Sequence, residues 1–474
     1  MRRCRSATLA AMAESTAFIE AAESALSSAG VLTGEDVRAR KASWLKDDPC
    51  QALAILRPAS TEEVAEAVRL CASHGRSLIP VGGNTGLVEG TLAGPDDVLL
   101  SLERMNRVES VDEAGGTITV QSGVPLQRVQ EMAIEAGLAF PLDLGARGSA
   151  TVGGTISTNA GGNAVIRYGM MREQVLGLEA VLADGTIVSS MNRMLKNNAG
   201  YDLKQLFIGT EGTLGIVTRA VLRLRADMPS RNTALLAVDD FATIPTLLRE
   251  LDAGLGGTLT AFEVLWQDFY DTVVTNAERH SPPLPAGHPF YVLVEARGSD
   301  QEADASRFED LLGRCLESEL IVDAAIAQGS TQRDALWAIR DDIDNLVDDL
   351  SPAMAFDVSL PIADADRYTR RVHERLAETF GEAYRGTTFG HLGDSNIHFM
   401  LTIGTTEHDQ QADAMRVVYE ELEPYGGSIS AEHGIGIEKR AFLGVSRSDA
   451  EVALMHRLKA ALDPHGLLNP GKVI

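Results

Sequence analysis

The chain has 474 residues, 45% hydrophobic and 23% charged, which is enough apolar material for a large core spread over roughly two to four domains. Its 67 acidic and 42 basic residues give a net charge of −25. A body that negative repels phosphate backbones and anionic lipid heads, which excludes nucleic-acid binding as a main role and requires any anionic substrate to meet a local pocket of Arg and His.

In chain order, helices are predicted over 13–46, interrupted at Gly34-Glu35-Asp36. Ser60 is a suitable N-cap for an amphipathic helix that Gly75 stops. Strands are predicted at 77–81, 98–102 and 117–121, then a helix over 125–136. Residues 145–170 are rich in Gly, Ser, Thr and Asn and are expected as loop. Strands 178–182 and 186–189 flank an Asp184-Gly185 turn, a helical segment covers 201–207, and a long strand covers 215–224. After Pro229 the pattern becomes strand 234–238, helix 244–251, strand 259–265, a further helix, strand 291–295, helix 303–316 and strand 320–325, which suggests a ferredoxin-like layer. Helix 331–349, strand 353–359, helix 363–379, strand 395–403, helix 409–423 and helix 449–462 complete the chain. Cys4, Cys50, Cys71 and Cys315 form no C-x-x-C pair and read as thiols of a reducing compartment. No apolar run reaches transmembrane length, and the stretch after Met1-Arg2-Arg3 lacks a signal-peptide core. The expected location is cytoplasmic, with peripheral membrane association or a short N-terminal targeting sequence as alternatives.

Three loops are unusually poor in Cβ atoms. Val81-Gly82-Gly83-Asn84-Thr85-Gly86-Leu87 follows a predicted strand, where adjacent glycines let backbone N–H groups converge on a diphosphate. Taken alone, it reads equally as a tight turn. The segment from Gly148 to Asn163 adds five glycines among small hydroxyl and amide residues, and Gly209–Val217 adds a third such stretch. A long cofactor lying against the backbone needs loops of this kind. None has the G-x-G-x-x-G spacing of a dinucleotide fold. The G-x-x-x-x-G-K match at 466–472 is followed by Val473 and no helix, so it is not a P-loop.

His391 and His398 stand seven residues apart around a Gly393-Asp394 turn, and Glu432-His433 comes later. Imidazoles with a carboxylate suit Zn²⁺ or a similar ion. By spacing alone, hydrogen-bonded core histidines and a surface Glu-His pair are the stronger reading.

The P-x-G-G-N-T-G-L, G-S-A-T-V-G-G…N-A-G-G-N…Y-G, A-D-G and G-T-E-G-T-L-G-I-V-T strings resemble the FAD domain of the p-cresol methylhydroxylase and vanillyl-alcohol oxidase fold. The H-x-G-D-x-N-x-H, A-E-H-G-I-G and L-D-P-x-G-L-L-N-P-G-K strings resemble the C-terminal half of FAD-linked D-lactate, D-2-hydroxyglutarate and glycolate dehydrogenases. Together the two resemblances cover about 50 to 474. They imply an α+β protein: a two-part FAD-binding domain (50–226) after an N-terminal helical segment (1–49), a ferredoxin-like α+β substrate and metal domain (227–435), and a C-terminal segment (436–474) returning to the flavin. The implied flavin contacts are Val81 to Leu87, Gly148, Ser149, Thr151, Gly153, Gly154, Ser157, Asn159, Gly161, Gly162, Tyr168, Glu211, Gly212, Ile216, Val217 and Asn469. Asn84 stands where a covalently linking His often occurs in that family, so non-covalent FAD is implied. His391, His398 and Glu432 would hold a divalent metal, commonly zinc. His433 would be the base, and Arg340 the fork for the substrate carboxylate.

The sequence departs from the family pattern at Ser395, usually Gly. It departs further at Ala355, Met400 and Asp344, where hydroxyglutarate enzymes carry Lys, Asn and Thr; these changes favour a monocarboxylate or an apolar tail. The implied reaction is oxidation of a small D-2-hydroxy acid to the 2-oxo acid. The acceptor class stays open among a quinone, a cytochrome and an electron-transfer flavoprotein, and a homodimer stays open as the assembly. The rivals are an O₂-using oxidase of the same fold, a non-catalytic flavin-binding subunit, and a nicotinamide enzyme weakened by the missing fingerprint.

Overall fold

The computed structural model describes residues 2–44, 47–275 and 279–474, with 2–12 described by their backbone helix alone; the Cys4 thiol lies outside the described side chains. The first half is built on two sheets. In the smaller, Ala54–Leu56 and Leu78–Val81 both run parallel to Val98–Ser101, and Val31–Thr33 pairs antiparallel at the edge. The connection between the first two is the helix Thr61–Ser73, started by the Ser60 hydroxyl accepting from Glu63 N–H at 3.2 Å. Its apolar face, Val64, Val68 and Cys71, packs with Phe18, Ala22 and Leu26 of the helix Arg2–Leu26. The second sheet is antiparallel, ordered Val108–Asp112, Thr117–Gln121, Ile216–Arg223, Val175–Val181, Ile187–Ser190.

The C-terminal segment closes this half. Leu78 N–H donates to Leu467 at 2.8 Å, and Asn469 N–H donates back to Leu78 at 2.9 Å, adding a bridge to the smaller sheet's edge. Lys459 locks it in place. Its ammonium donates to the carbonyls of Thr213 (2.8 Å) and Leu468 (2.7 Å) and pairs with Asp463 at 2.6 Å. The Asp463 carboxylate is buried and accepts from Leu467 and Leu468 N–H.

The second half is a seven-stranded antiparallel sheet, ordered Asp323–Ile326, Ser230–Val238, Phe290–Gly298, Leu259–Trp266, Arg385–Gly390, Asn396–Thr402, Met354–Ser359. Helices cover both faces. Leu236, Phe262, Val292, Phe356 and Phe399 point toward the helices Ile244–Leu255, Gln301–Glu317, Ala365–Phe380 and His408–Glu420. Leu235, Leu265, Leu293, Phe389 and Met400 point toward Gln267–Thr275, Ser330–Asp341 and Ile343–Asp349. The period-2 alternation of strands therefore puts Glu263, Asp357 and His398 on the second face, beneath those three helices.

Several elements differ from the sequence reading. The strand Arg385–Gly390 lies in the middle of the sheet, although its run Gly-Thr-Thr carries little apolar signal. Burial between two strands, rather than propensity, fixes it. The expected Gly-rich loop contains a helix, Val152–Thr158, capped by the Thr151 hydroxyl accepting from Gly154 N–H at 3.4 Å. Helix 331–349 is two helices broken at Asp342, and 201–207 holds only the 3₁₀ turn Leu203–Leu206.

Asp268 is a half-buried carboxylate with no cation beside it among the described residues; it accepts only the N–H groups of Phe269 and Thr388, and loss of solvent around it lifts its pKa from 3.8 to about 6. A folded pKa above the unfolded one destabilises the ionised native form, so native stability declines as pH rises from about 4 to about 6. Asp268→Asn keeps the acceptor and removes the charge. Its melting temperature should exceed wild type at pH 8 and match it below pH 4. Separately, Asp463→Ala strands Lys459 and two N–H groups and should weaken the fold by about 3–5 kcal/mol, read as a lowered melting temperature.

Candidate active site

A cleft of about 1550 Å³, counting its open mouth, runs between the two sheets of the first half and reaches the second half at Glu432 and His433. Its walls come from 80–91, 144–161 and 211–217, and Asn469 enters from the C-terminal segment. Backbone approach makes this shape. A Cβ on Gly83 would stand 1.9 Å from the Ser149 carbonyl oxygen, so no side chain fits there. Asn84, Glu211 and Asn469 hold φ of 53, 52 and 42°, backbone states that side chains rarely adopt and that gather at functional sites. Each is fastened. Asn84 accepts from the Thr91 hydroxyl at 2.7 Å, the Glu211 carboxylate accepts Ile435 N–H (2.7 Å) and Gly436 N–H (3.0 Å), and the Asn469 amide donates to Gly90 and Glu211 carbonyls. The Asn469 side-chain oxygen is buried, borders the cleft and has no donor among the described residues. An unsatisfied buried acceptor in a cradle without Cβ atoms fits a flat heterocycle bearing N–H groups.

At the cleft's inner end, ligand atoms of His391, His398 and Glu432 all lie within 4.8 Å of one another. Glu263 organises this cluster from the sheet. Its carboxylate receives His391 Nδ1 at 2.7 Å and Arg340 Nε at 2.9 Å, all three groups being buried. Burial alone would raise the Glu263 pKa, but His391 and Arg340 outweigh it and hold it at about 2. With Nδ1 committed to Glu263, Nε2 is the remaining ring nitrogen of His391, and Arg340 Nη2 stands 3.1 Å from it; burial would lower the His391 pKa, but Glu263 outweighs burial and raises it to about 9. Burial, reinforced by His391 and Arg340, holds His398 well below its ordinary pKa, so its ring is neutral and its lone pair available. Glu432 accepts Gly162 N–H at 2.8 Å, and a Cβ on Gly161 would come within 2.5 Å of the same carboxylate. The glycine-rich loop of the first half thus touches the acid of the cluster directly.

Asp357 holds the neighbouring group. One of its oxygens accepts the successive N–H groups of Ala431, Glu432 and His433 at 2.9, 2.7 and 3.0 Å; the other meets His433 Nδ1 at 3.1 Å and the Lys439 ammonium. Burial opposes its ionisation, yet His433, Lys439 and the N–H groups keep it well below the usual aspartate range. His433 is thereby left with Nε2 free. Burial pulls its pKa down against the pull of Asp357, so its ring is a neutral acceptor near pH 7.

The cleft brings together the sequence-derived residues Val81 to Leu87, Thr151, Gly153, Gly154, Ser157, Gly161, Glu211, Gly212, Ile216, Val217 and Asn469. It does not bring in Gly148, Ser149, Asn159, Gly162 or Tyr168. Ser149 instead backs Gly83 with its carbonyl, Asn159 caps the helix Val152–Thr158 and accepts from Arg172 N–H, and Gly162 serves Glu432. Tyr168 lines a separate polar cavity, with the Arg167 and Arg225 guanidiniums 5.1 and 5.9 Å from its ring. Arg340 reaches the cluster but is not a free fork, since Nε is bound to Glu263 and one terminal nitrogen contacts His391. Ser395 takes φ of 75°, which keeps the turn that a glycine would make. The sequence reading missed Glu263, Asp357 and Lys439. The first two are lone acids in the apolar strands Leu259–Trp266 and Met354–Ser359, a signal in itself because a buried carboxylate must be paired.

A glycine-walled flavin-type cleft abutting a buried histidine–carboxylate cluster defines a flavoprotein oxidoreductase of two intimately joined halves. Residues 52–190 match the FAD binding domain, and residues 228–473 match the C-terminal domain of the FAD linked oxidases; the chain belongs to the FAD-linked oxidase family. A probable mitochondrial D-2-hydroxyglutarate dehydrogenase of Oryza sativa subsp. indica is 38% identical over 456 residues, 95% of this chain and 80% of that one. A putative mitochondrial D-lactate dehydrogenase of Schizosaccharomyces pombe is 36% identical, covering 93% and 85%. A D-2-hydroxyglutarate dehydrogenase of Xanthomonas citri pv. viticola is 37% identical, covering 91% of each chain. Among solved structures, p-cresol methylhydroxylase with substrate bound superposes with a TM-score of 0.75 at 17% identity over 97% of each chain, a likeness of fold. Among the described residues no helix is long and apolar enough to cross a membrane.

Gly83→Ala forces the 81–87 loop away from Ser149. The variant should purify with at least about tenfold less flavin per chain than wild type, read from its visible absorbance, because a shift of 1.4 kcal/mol in binding is already a factor of ten.

Proposed function

We propose that this chain is an FAD-dependent dehydrogenase of small D-2-hydroxy acids, forming the 2-oxo acid, with non-covalent FAD in the cleft and a divalent cation, zinc or a similar ion, on His391, His398 and Glu432. The convergence of those three ligand atoms beside His433, at the inner end of the cleft, carries this reading. The names of the D-2-hydroxyglutarate and D-lactate dehydrogenases it resembles support the substrate class. When bound, FAD supplies a hydride acceptor and the cation a Lewis acid.

The chain's own groups do the remaining work. His433 Nε2 takes the proton of the 2-hydroxyl, since Asp357 holds Nδ1 and burial keeps the ring neutral before reaction. The Asp357 carboxylate then lies beside the imidazolium and stabilises it. Asp357 also fixes the peptide run Ala431–His433, so the metal-side carboxylate and the base keep one spacing. Arg340 presents its remaining N–H groups to the substrate carboxylate, held in place by Glu263. The side chain of Asn84 offers no covalent link to a flavin. The division into 1–49, 50–226, 227–435 and 436–474, and a cytoplasmic location with its buried thiols Cys50, Cys71 and Cys315 reduced, belong to the same reading.

Chelator dialysis should abolish dye reduction by D-2-hydroxy acids while the flavin spectrum persists, and added Zn²⁺ should restore it; full activity after verified metal removal would refute the metal's role. His433→Gln should lower kcat by about 10²–10⁴ with flavin content unchanged. Glu263→Gln should weaken metal affinity by about 10–100-fold, measured by competition with a chromogenic chelator.

A further inference from the structure

The strand Asn396–Thr402 brings one more polar side chain into the cluster. Its pairing sets Phe389 opposite His398 on one side and Asp357 opposite His398 on the other. Two residues away, Ser359 stands opposite Asn396, and Asn396 N–H donates to the His391 carbonyl at 3.2 Å. His391 in turn reaches Glu263 through Nδ1. One row of the sheet therefore reads Ser359, Asn396, His391, Glu263, and the next holds Asp357 and His398. Residues two apart share a face, so Asn396 lies on the face that carries His398 and Asp357. The rings gather over the same patch: the His391 and His398 centroids stand 5.3 Å apart, and those of His398 and His433 6.0 Å.

Asn396 is 2% exposed, and neither its amide nitrogen nor its amide oxygen has a partner. Among the described residues no other side chain has two buried polar atoms in that condition. Burying a carboxamide without partners is unfavourable, and an apolar side chain of the same size would avoid the cost. The neighbouring groups are committed elsewhere. His391 is held by Glu263 and faced by Arg340, and the Asp357 oxygens take three N–H groups, His433 and Lys439. The partner of the Asn396 amide therefore comes from outside the chain. A carboxamide offers two donors and an acceptor, which suits a water molecule, and a catalytic cation on three protein ligands keeps a position for one.

We infer that Asn396 is a positioning residue whose amide hydrogen-bonds the water that completes the coordination of the cation on His391, His398 and Glu432. This rests on the reading of the preceding subsection and deepens it. The amide supplies the hydrogen bonds without adding a charge to a site that already buries Glu263 and Asp357. The unpartnered amide is then kept for metal binding and not for folding.

The test separates those two roles. Asn396→Leu keeps the volume and removes both polar atoms, and Asn396→Asp keeps the shape and adds a charge. Melting of the metal-free, flavin-loaded proteins reads the fold, and Zn²⁺ competition with a chromogenic chelator reads the site. Asn396→Leu should melt no lower than wild type, keep its flavin spectrum and lose about 10–100-fold in Zn²⁺ affinity. Asn396→Asp should bind Zn²⁺ at least as tightly as wild type, because a carboxylate holds a metal-bound water more strongly or ligates the ion itself. Wild-type Zn²⁺ affinity in Asn396→Leu would overturn the inference. So would a metal-free Asn396→Leu protein that melts clearly below wild type or fails to fold, since the amide would then serve the fold. Weakened binding by Asn396→Asp would overturn it independently. Wild type that takes up no Zn²⁺ in the same titration would instead remove the metal assignment on which the inference rests.

Discussion

The buried carboxylate of Asp357 is the constraint on which the rest depends. It sits in the strand Met354–Ser359 with no exposure, yet it gathers three consecutive N–H groups, one imidazole and one ammonium. A lone acid there would be expelled or neutralised; this one stays ionised because each of its lone pairs is used. The loop bearing Glu432 and His433 has no regular structure of its own, so its path is set by this anchor and by the nearby bridge of Ser359 to Ser428. Glu263 plays the matching part for His391 and Arg340 one strand beyond Arg385–Gly390.

These anchors matter because the site is assembled across the junction of the two halves. Glu432 accepts Gly162 N–H, and Glu211 answers from the opposite direction by accepting Ile435 and Gly436 N–H. Two carboxylates, one from each half, are thus hydrogen-bonded to the other half's backbone within a few residues of His433. Such reciprocal ties leave little freedom for one half to slide on the other without breaking charge-assisted hydrogen bonds.

Much of this was legible in the sequence because its signals were local. Ser60 and Gly75 bound a helix within two residues of where it occurs, and the glycine loops named most of the cleft wall. The grouping of His391, His398 and Glu432 came from a family resemblance, since spacing alone favoured plain core histidines. What stayed hidden was non-local. Arg385–Gly390 is a strand only because two neighbours bury it, and the break at Asp342 has no glycine or proline to announce it. Tyr168 lies apart from the cleft because a motif fixes a residue's neighbourhood and not the direction of its ring, which here has the Arg167 and Arg225 guanidiniums 5.1 and 5.9 Å away. Glu263 and Asp357 could have been flagged as acids inside apolar runs, but their partners lie 128 and 76 positions away in the chain.

The cleft draws its wall from positions as far apart as Pro80 and Asn469. During synthesis, the glycine loops emerge long before Glu432, His433 and Asn469 exist to face them. The complete wall of the cleft therefore exists only once nearly all of the polypeptide has left the ribosome. A cofactor held by the earlier loops alone would lack the contacts that Glu432, His433 and Asn469 complete.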